Sequence, residues 1–237
     1  MKKFKLKSLK NRYGYILVPL ITYIGTLLLA FYMSRIIVWA FGIPKNDISL
    51  PIDDKIPFVA EFIVIYILSY LQWIVCNLYI SIQSKDACYR IISADAVGKL
   101  ISFIIFVAFP TVMVRAEITG NGFFEFLTSV IYGADMPDNL FPSIHCFASW
   151  LCVRGMLKFT KAPKFLQGLN ILMTILVFMS VVLVKQHVFV DIFGGIAVAE
   201  IGLFISEKFR LKRIFEKFEP KFVRQAALSQ VKDKGVL

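Results

Sequence analysis

The chain contains two histidines, His145 in "FPSIHCFASW" and His187 in "VKQHVFVDIFGG", 42 residues apart, each at the edge of a long apolar run. His187 and Asp191 are four residues apart, a spacing that projects both from one helix face. A carboxylate so placed can hold one imidazole nitrogen and fix the tautomer, leaving the other nitrogen to act as base or nucleophile. Lys185, two residues earlier, adds positive charge. In the other segment Pro142 suits the first turn of a helix, where its missing N–H would be unpaired anyway. Ser143 and the free amides of that turn then favour an anion, and His145 sets a proton carrier beside them. Together these residues fit chemistry on an anionic group. The plainer alternatives are a packing histidine, a local polar contact at 187 and 191, and a snorkelling anchor at Lys185. Ionisable groups in or beside apolar spans are costly and tend to be functional, which favours the chemical reading. Two histidines and one aspartate make a thin ligand set without motif spacing, so neither a metal nor a cofactor is expected.

The elements that must position these residues are long and apolar. Of 237 residues, 58% are hydrophobic and 15% aromatic, and the mean hydropathy is +0.71. Soluble domains sit nearer 45–50% apolar. Six windows approach the ~20 residues needed to cross a bilayer, roughly 15–40, 57–82, 98–114, 142–159, 167–184 and 188–206. The expected fold is all-α, a six-transmembrane-helix bundle over 15–206, with basic tails at 1–14 and 207–237. The first window is too long for a signal-peptide core and is read as a retained span.

The net charge of +11 is concentrated at the ends. Lys2, Lys3, Lys5, Lys7, Lys10 and Arg12 precede the first span, and Lys208, Arg210, Lys212, Arg213 and Lys217 follow the last. Bilayer-length segments exclude a nucleic-acid binder, so these tails read as cytoplasmic flanks held by anionic lipid. The links alternate in charge as the positive-inside rule requires. The first carries Asp47, Asp53 and Asp54; the second Lys85, Arg90 and Lys99; the fourth Lys158, Lys161 and Lys164. Both termini are then cytoplasmic, and His145, His187 and the third link, with Arg115, face outward, at the plasma membrane. In that link Phe123, Phe124, Leu127, Val130 and Ile131 recur at helical spacing, either as an interfacial helix beside the site or as a packed covering segment. Gly194 and Gly195 invite close helix approach. Arg35 is expected to meet Glu61, and Arg154 to meet Glu200. The four cysteines imply neither zinc nor a disulfide framework.

"PSIH" and "HVFVD" together resemble the second and third signatures of the type 2 phosphatidic acid phosphatase superfamily. Pro142, Ser143 and His145 match the second signature, with Ile144 in place of its glycine. Ser180, His187 and Asp191 match the third, with Val181 in place of its arginine. Of the first signature Arg115 survives, while Ala108 and Ala116 replace its lysine and proline. The resemblance spans residues 98 to about 200. It implies metal-independent phosphoryl transfer from a membrane lipid phosphate or a polyprenyl diphosphate. His187 would be the nucleophile, Asp191 its positioning partner, and His145 the proton donor. Arg115 and Ser143 would hold the phosphate oxygens, and Lys185 would replace a missing cation. The alternatives are a phosphotransferase with the same three residues, like the sphingolipid headgroup synthases of that superfamily, and a non-catalytic transporter or scaffold. No sequence feature sets the oligomeric state.

Overall fold

The structure, a computed structural model, describes residues 14–219. The chain is helical: α1 (Gly14–Ala40), α2 (Ala60–Gln83) and α3 (Lys85–Ala108) precede a short α4 (Phe123–Ala134). Then come α5 (Ile144–Phe159), α6 (Lys164–Leu183), α7 (Phe189–Lys208) and a terminal α8 (Lys212–Phe218). Five of these, α1, α2, α3, α6 and α7, are long and apolar enough to cross a membrane. Their exposed residues are those lipid would cover, such as Ile21 and Ile24 on α1 and Ile74 on α2. These helices make the chain a membrane protein.

The largest departure from the sequence reading is α3. Its window was expected to open at residue 98, after a basic link; instead Ser84 alone separates α2 from α3. Ser84 caps α3 by accepting a hydrogen bond from the Ala87 amide at 3.0 Å, so the helix opens at Lys85. Lys99, expected in the link, lies 1% exposed inside the helix because its Nζ meets the Asp95 carboxylate at 2.8 Å, one turn earlier. At α5 the shift is smaller. Ser143, not Pro142, sets the start, its Oγ accepting from the Cys146 amide at 3.3 Å.

α5 has 16 residues and is mostly buried, packed against α2, α3, α6 and α7. Polar contacts tie it to its neighbours. Trp73 Nε1 donates to Ser149 Oγ at 2.9 Å, and Thr174 Oγ1 donates to the Ser149 carbonyl at 3.1 Å. Glycines set the approach of α7. A Cβ on Gly195 would lie 2.6 Å from the Ser143 carbonyl and 2.8 Å from the Phe147 amide nitrogen, so α7 touches the first turn of α5 at backbone distance. Gly202 does the same against the Ala94 carbonyl of α3 at 2.8 Å.

At the histidine end the links are stitched together. β1 (Asn46–Asp47) pairs in parallel with β2 (Thr111–Val112), and Val112 bridges to Asp138. The Thr111 hydroxyl accepts from the amides of Leu140 and Phe141. Arg35 does not meet Glu61; it bonds Asp138 at 2.7 Å and Asp135 at 2.8 Å, carboxylates delivered by the segment after α4. Arg154 does meet Glu200, at 2.7 Å. At the opposite end α8 folds back so that Phe215 stacks on Tyr89 with ring centroids 5.6 Å apart. Lys208, Arg210, Lys212, Arg213 and Lys217 are placed there, whereas the basic residues of 1–13 lie outside the described residues.

Candidate active site

The turn between α6 and α7 presents His187. Lys185 takes a left-handed backbone (φ 51°), and the amides of Gln186 and His187 both donate to the Val181 carbonyl at 3.0 Å. His187 therefore precedes α7 rather than belonging to it. It meets Asp191 because that residue caps the helix start. Asp191 Oδ2 lies 3.0 Å from His187 Nδ1 and accepts from the Val188 amide, also at 3.0 Å. The expected pairing is present, made by a cap rather than by two residues on a continuous helix face. It fixes the imidazole and leaves His187 Nε2 without a hydrogen bond among the described residues.

His145 is held in the first turn of α5 within an aromatic wall from α2. Its ring stacks on Tyr66 at 4.2 Å between centroids, with Trp73 at 5.0 Å and Tyr70 at 5.3 Å. The His187 ring is 5.9 Å away, edge to face. His145 Nε2 and Asp191 Oδ1 are buried without a hydrogen-bond partner among the described residues. Unpaired buried polar atoms cost about 1–3 kcal/mol each and call for an explanation. The two histidine-bearing segments are joined directly, the Ser143 amide donating to the Asp191 carbonyl at 3.2 Å.

The residues assigned to phosphate oxygens divide. Arg115 reaches the site's edge. Its guanidinium donates to the carbonyls of Tyr132 and Asp135 and to Gln186 Oε1, next to His187, and stacks over the Tyr132 ring at 4.4 Å. Burial pulls its pKa down, and the nearby Asp135 carboxylate opposes that pull. The Ser143 side chain is used in capping α5. Lys185 is not brought into the cluster; its Nζ donates to the carbonyls of Asp53 and Ile56 at 2.7 and 2.6 Å, anchoring the link between α1 and α2. Asp53 also accepts from the Phe189 amide through Oδ1 at 2.7 Å, so this link straps the α6–α7 turn.

Several contributors were absent from the sequence reading. Tyr66, Tyr70 and Trp73 recur at helical spacing on α2, a signal visible in the sequence but indistinguishable there from a packing stripe. Gln186 adjoins His187, and its uncharged side chain gives no signal in the sequence. A cavity of about 470 Å³ lies against His145, walled by Phe31, Tyr70, Trp73 and Ile74, with Arg35 and Asp135 at its polar end. Among the described residues no group of three or more His, Cys, Asp or Glu could hold a metal ion. No family model, curated protein or solved structure matches the chain.

Proposed function

We propose that the protein is a membrane lipid phosphatase of the type 2 phosphatidic acid phosphatase kind, working through a phosphohistidine without a metal. The observation that carries this reading is the pair of imidazoles, one positioned by a buried carboxylate and each with a nitrogen that makes no hydrogen bond among the described residues. His187 Nε2 attacks the phosphorus, and the bond to the lipid oxygen breaks as His145 Nε2 gives that oxygen its proton. Water then attacks the phosphohistidine, releasing inorganic phosphate and restoring His187, while its proton returns to His145. Asp191 stabilises the imidazolium character that develops on His187. The cavity against His145 suits the lipid's apolar chain, with the phosphate between His145 and His187, because Arg35 at the cavity's polar end is already paired with Asp135 and Asp138. In this reading α5 is the sixth crossing, its short length compensated by burial among the other helices. Both termini are cytoplasmic and the histidines open on the outer face of the plasma membrane.

The second reading is a catalytically silent membrane protein, favoured by one observation: Lys185 and Arg115 both spend donors on protein acceptors. Release of inorganic phosphate separates the two. The purified protein is given a panel of lipid phosphates and polyprenyl diphosphates, with His187→Ala and His145→Ala in parallel. Phosphate release abolished by His187→Ala supports the enzyme, a labelled new lipid in place of phosphate identifies a transferase, and no turnover of any substrate sinks both catalytic readings.

A further inference from the structure

A second cluster of cations lies at the other end of the bundle. Lys158 is 13 residues beyond His145 on α5, about 20 Å at 1.5 Å per residue. There it shares a polar cavity of about 660 Å³ with Arg90, Arg210, Lys212 and Arg213, against two carboxylates, Glu207 and Glu216. Glu207 and a third acid, Asp86, are already shared between cations. Glu207 faces both Lys158 and Arg90, while Asp86, outside the cavity wall, faces both Arg90 and Lys212. Arg210 and Arg213 make no ion pair among the described residues. Two guanidinium forks thus stand beside a positively biased space, the geometry that recognises phosphate oxygens in pairs.

The neighbouring surface decides what carries the phosphate. Beside this cavity, and sharing Ser93 with it, runs an apolar groove of about 340 Å³. α8 separates the two. Arg213 and Glu216 line the polar side, while Ile214, Phe215 and Phe218 line the groove opposite Val97 and Leu100 of α3. The helix is pinned there by the Phe215–Tyr89 stack and by Lys85, whose Nζ meets Glu219 at 3.0 Å. A polar, cationic cavity and an apolar groove on the two sides of α8, sharing the wall residue Ser93, fit an amphiphile, and a free phosphate has no use for the groove.

We propose that this end of the bundle is a binding site for an anionic phospholipid, with its headgroup phosphate held by Arg210 and Arg213 and its acyl chain laid in the groove between α1, α3 and α8. The site is separate from the histidines and stands whether or not they are catalytic. The excess of cations favours a headgroup bearing a phosphomonoester over a zwitterionic one, and binding weakens as salt screens it.

The test is direct binding to the purified full-length protein in detergent. Dioctanoyl phosphatidylinositol bisphosphate, dioctanoyl phosphatidylcholine and inositol trisphosphate serve as probes. Wild type binds the bisphosphate lipid, and 0.5 M salt weakens that binding. R210Q/R213Q weakens it about thirtyfold, roughly fivefold for each cation removed. Both side chains are exposed and make no ion pair among the described residues, so wild-type elution and unfolding temperature are expected of that variant. Ile214→Asn weakens the lipid and leaves inositol trisphosphate unchanged, and His187→Ala alters neither. Equal binding of phosphatidylcholine, or an unaltered R210Q/R213Q, overturns the site. Inositol trisphosphate binding as tightly as the lipid, with Ile214→Asn silent, overturns the lipid assignment in favour of a soluble phosphate. Loss of binding in His187→Ala equal to that in R210Q/R213Q overturns it by moving the phosphate to the histidine end.

Discussion

Two acid–base pairs in this bundle share a spacing of four residues and almost nothing else. Asp95 and Lys99 meet at 2.8 Å within α3, 2% and 1% exposed. The ammonium is closed off on its other sides, 3.4 Å above the Tyr23 ring and 3.4 Å from the Tyr23 carbonyl. His187 and Asp191 meet at 3.0 Å, yet among the described residues neither His187 Nε2 nor Asp191 Oδ1 makes a hydrogen bond, and neither does His145 Nε2 nearby. The first pair is complete within the protein. The second is incomplete in the atoms a phosphoryl transfer would use. Spacing and burial therefore do not separate these two pairs; what differs is that only the second leaves hydrogen-bonding atoms unspent beside another imidazole.

Removing the basic member of each pair should break the comparison in opposite directions. His187→Ala is expected to lower phosphate release by at least a factor of about 10³, at a stability cost of about 1–3 kcal/mol because the buried Asp191 keeps its bond from the Val188 amide. Residual turnover within tenfold of wild type would end its role as nucleophile. Lys99→Ala leaves the Asp95 carboxylate buried and uncompensated, and is expected to cost about 3–5 kcal/mol of stability. The double variant Asp95→Leu/Lys99→Met should recover most of that loss, because it buries no charge. If thermal unfolding in detergent finds the double variant as unstable as Lys99→Ala, the pair does more than neutralise itself.

The same contrast marks what was legible in the sequence. His187 and Asp191 announced themselves because the contact is local and both partners sit beside a break in the apolar pattern. Asp95 and Lys99 have the same spacing, but a lysine near the edge of an apolar window reads as a link until its acid is seen to neutralise it. Arg35 was given Glu61, the nearest acid along the apolar spans, whereas its partners Asp135 and Asp138 lie about a hundred residues away and are brought in by the strand pairing of the links. Lys185 looked like a phosphate contact because it lies two residues from His187. Its left-handed turn instead sends Nζ to the Asp53 and Ile56 carbonyls, and nothing in the local spacing encodes that.

Gly195 sharpens the geometric half of the comparison. It lets α7, which carries Asp191, sit at backbone distance from the first turn of α5, which carries His145. A Cβ there would press on the Ser143 carbonyl and the Phe147 amide, which cannot swing aside as a flexible side-chain end would. Gly195→Ala is expected to cost about 1–3 kcal/mol, the range for overpacking, and to reduce turnover beyond what the loss of folded protein explains. Normal turnover per folded molecule would show that the 5.9 Å separation of the imidazoles tolerates adjustment.

Lys185 gives the smallest effect and the most discriminating one. As a loop anchor it satisfies two carbonyls at a partly exposed position, where water can replace it, so Lys185→Ala should cost only about 1 kcal/mol. Alanine keeps the strain of a φ near 51°, whereas glycine relieves it. Lys185→Gly is therefore expected to be more stable than Lys185→Ala by about 1 kcal/mol, although both lack the ammonium. A phosphate contact keeps that stability order, because the φ belongs to the backbone in either role, and adds a KM raised equally in the two variants. KM measured on both proteins, with thermal unfolding to show that each is folded, assigns this lysine either to the strap over the α6–α7 turn or to the anion.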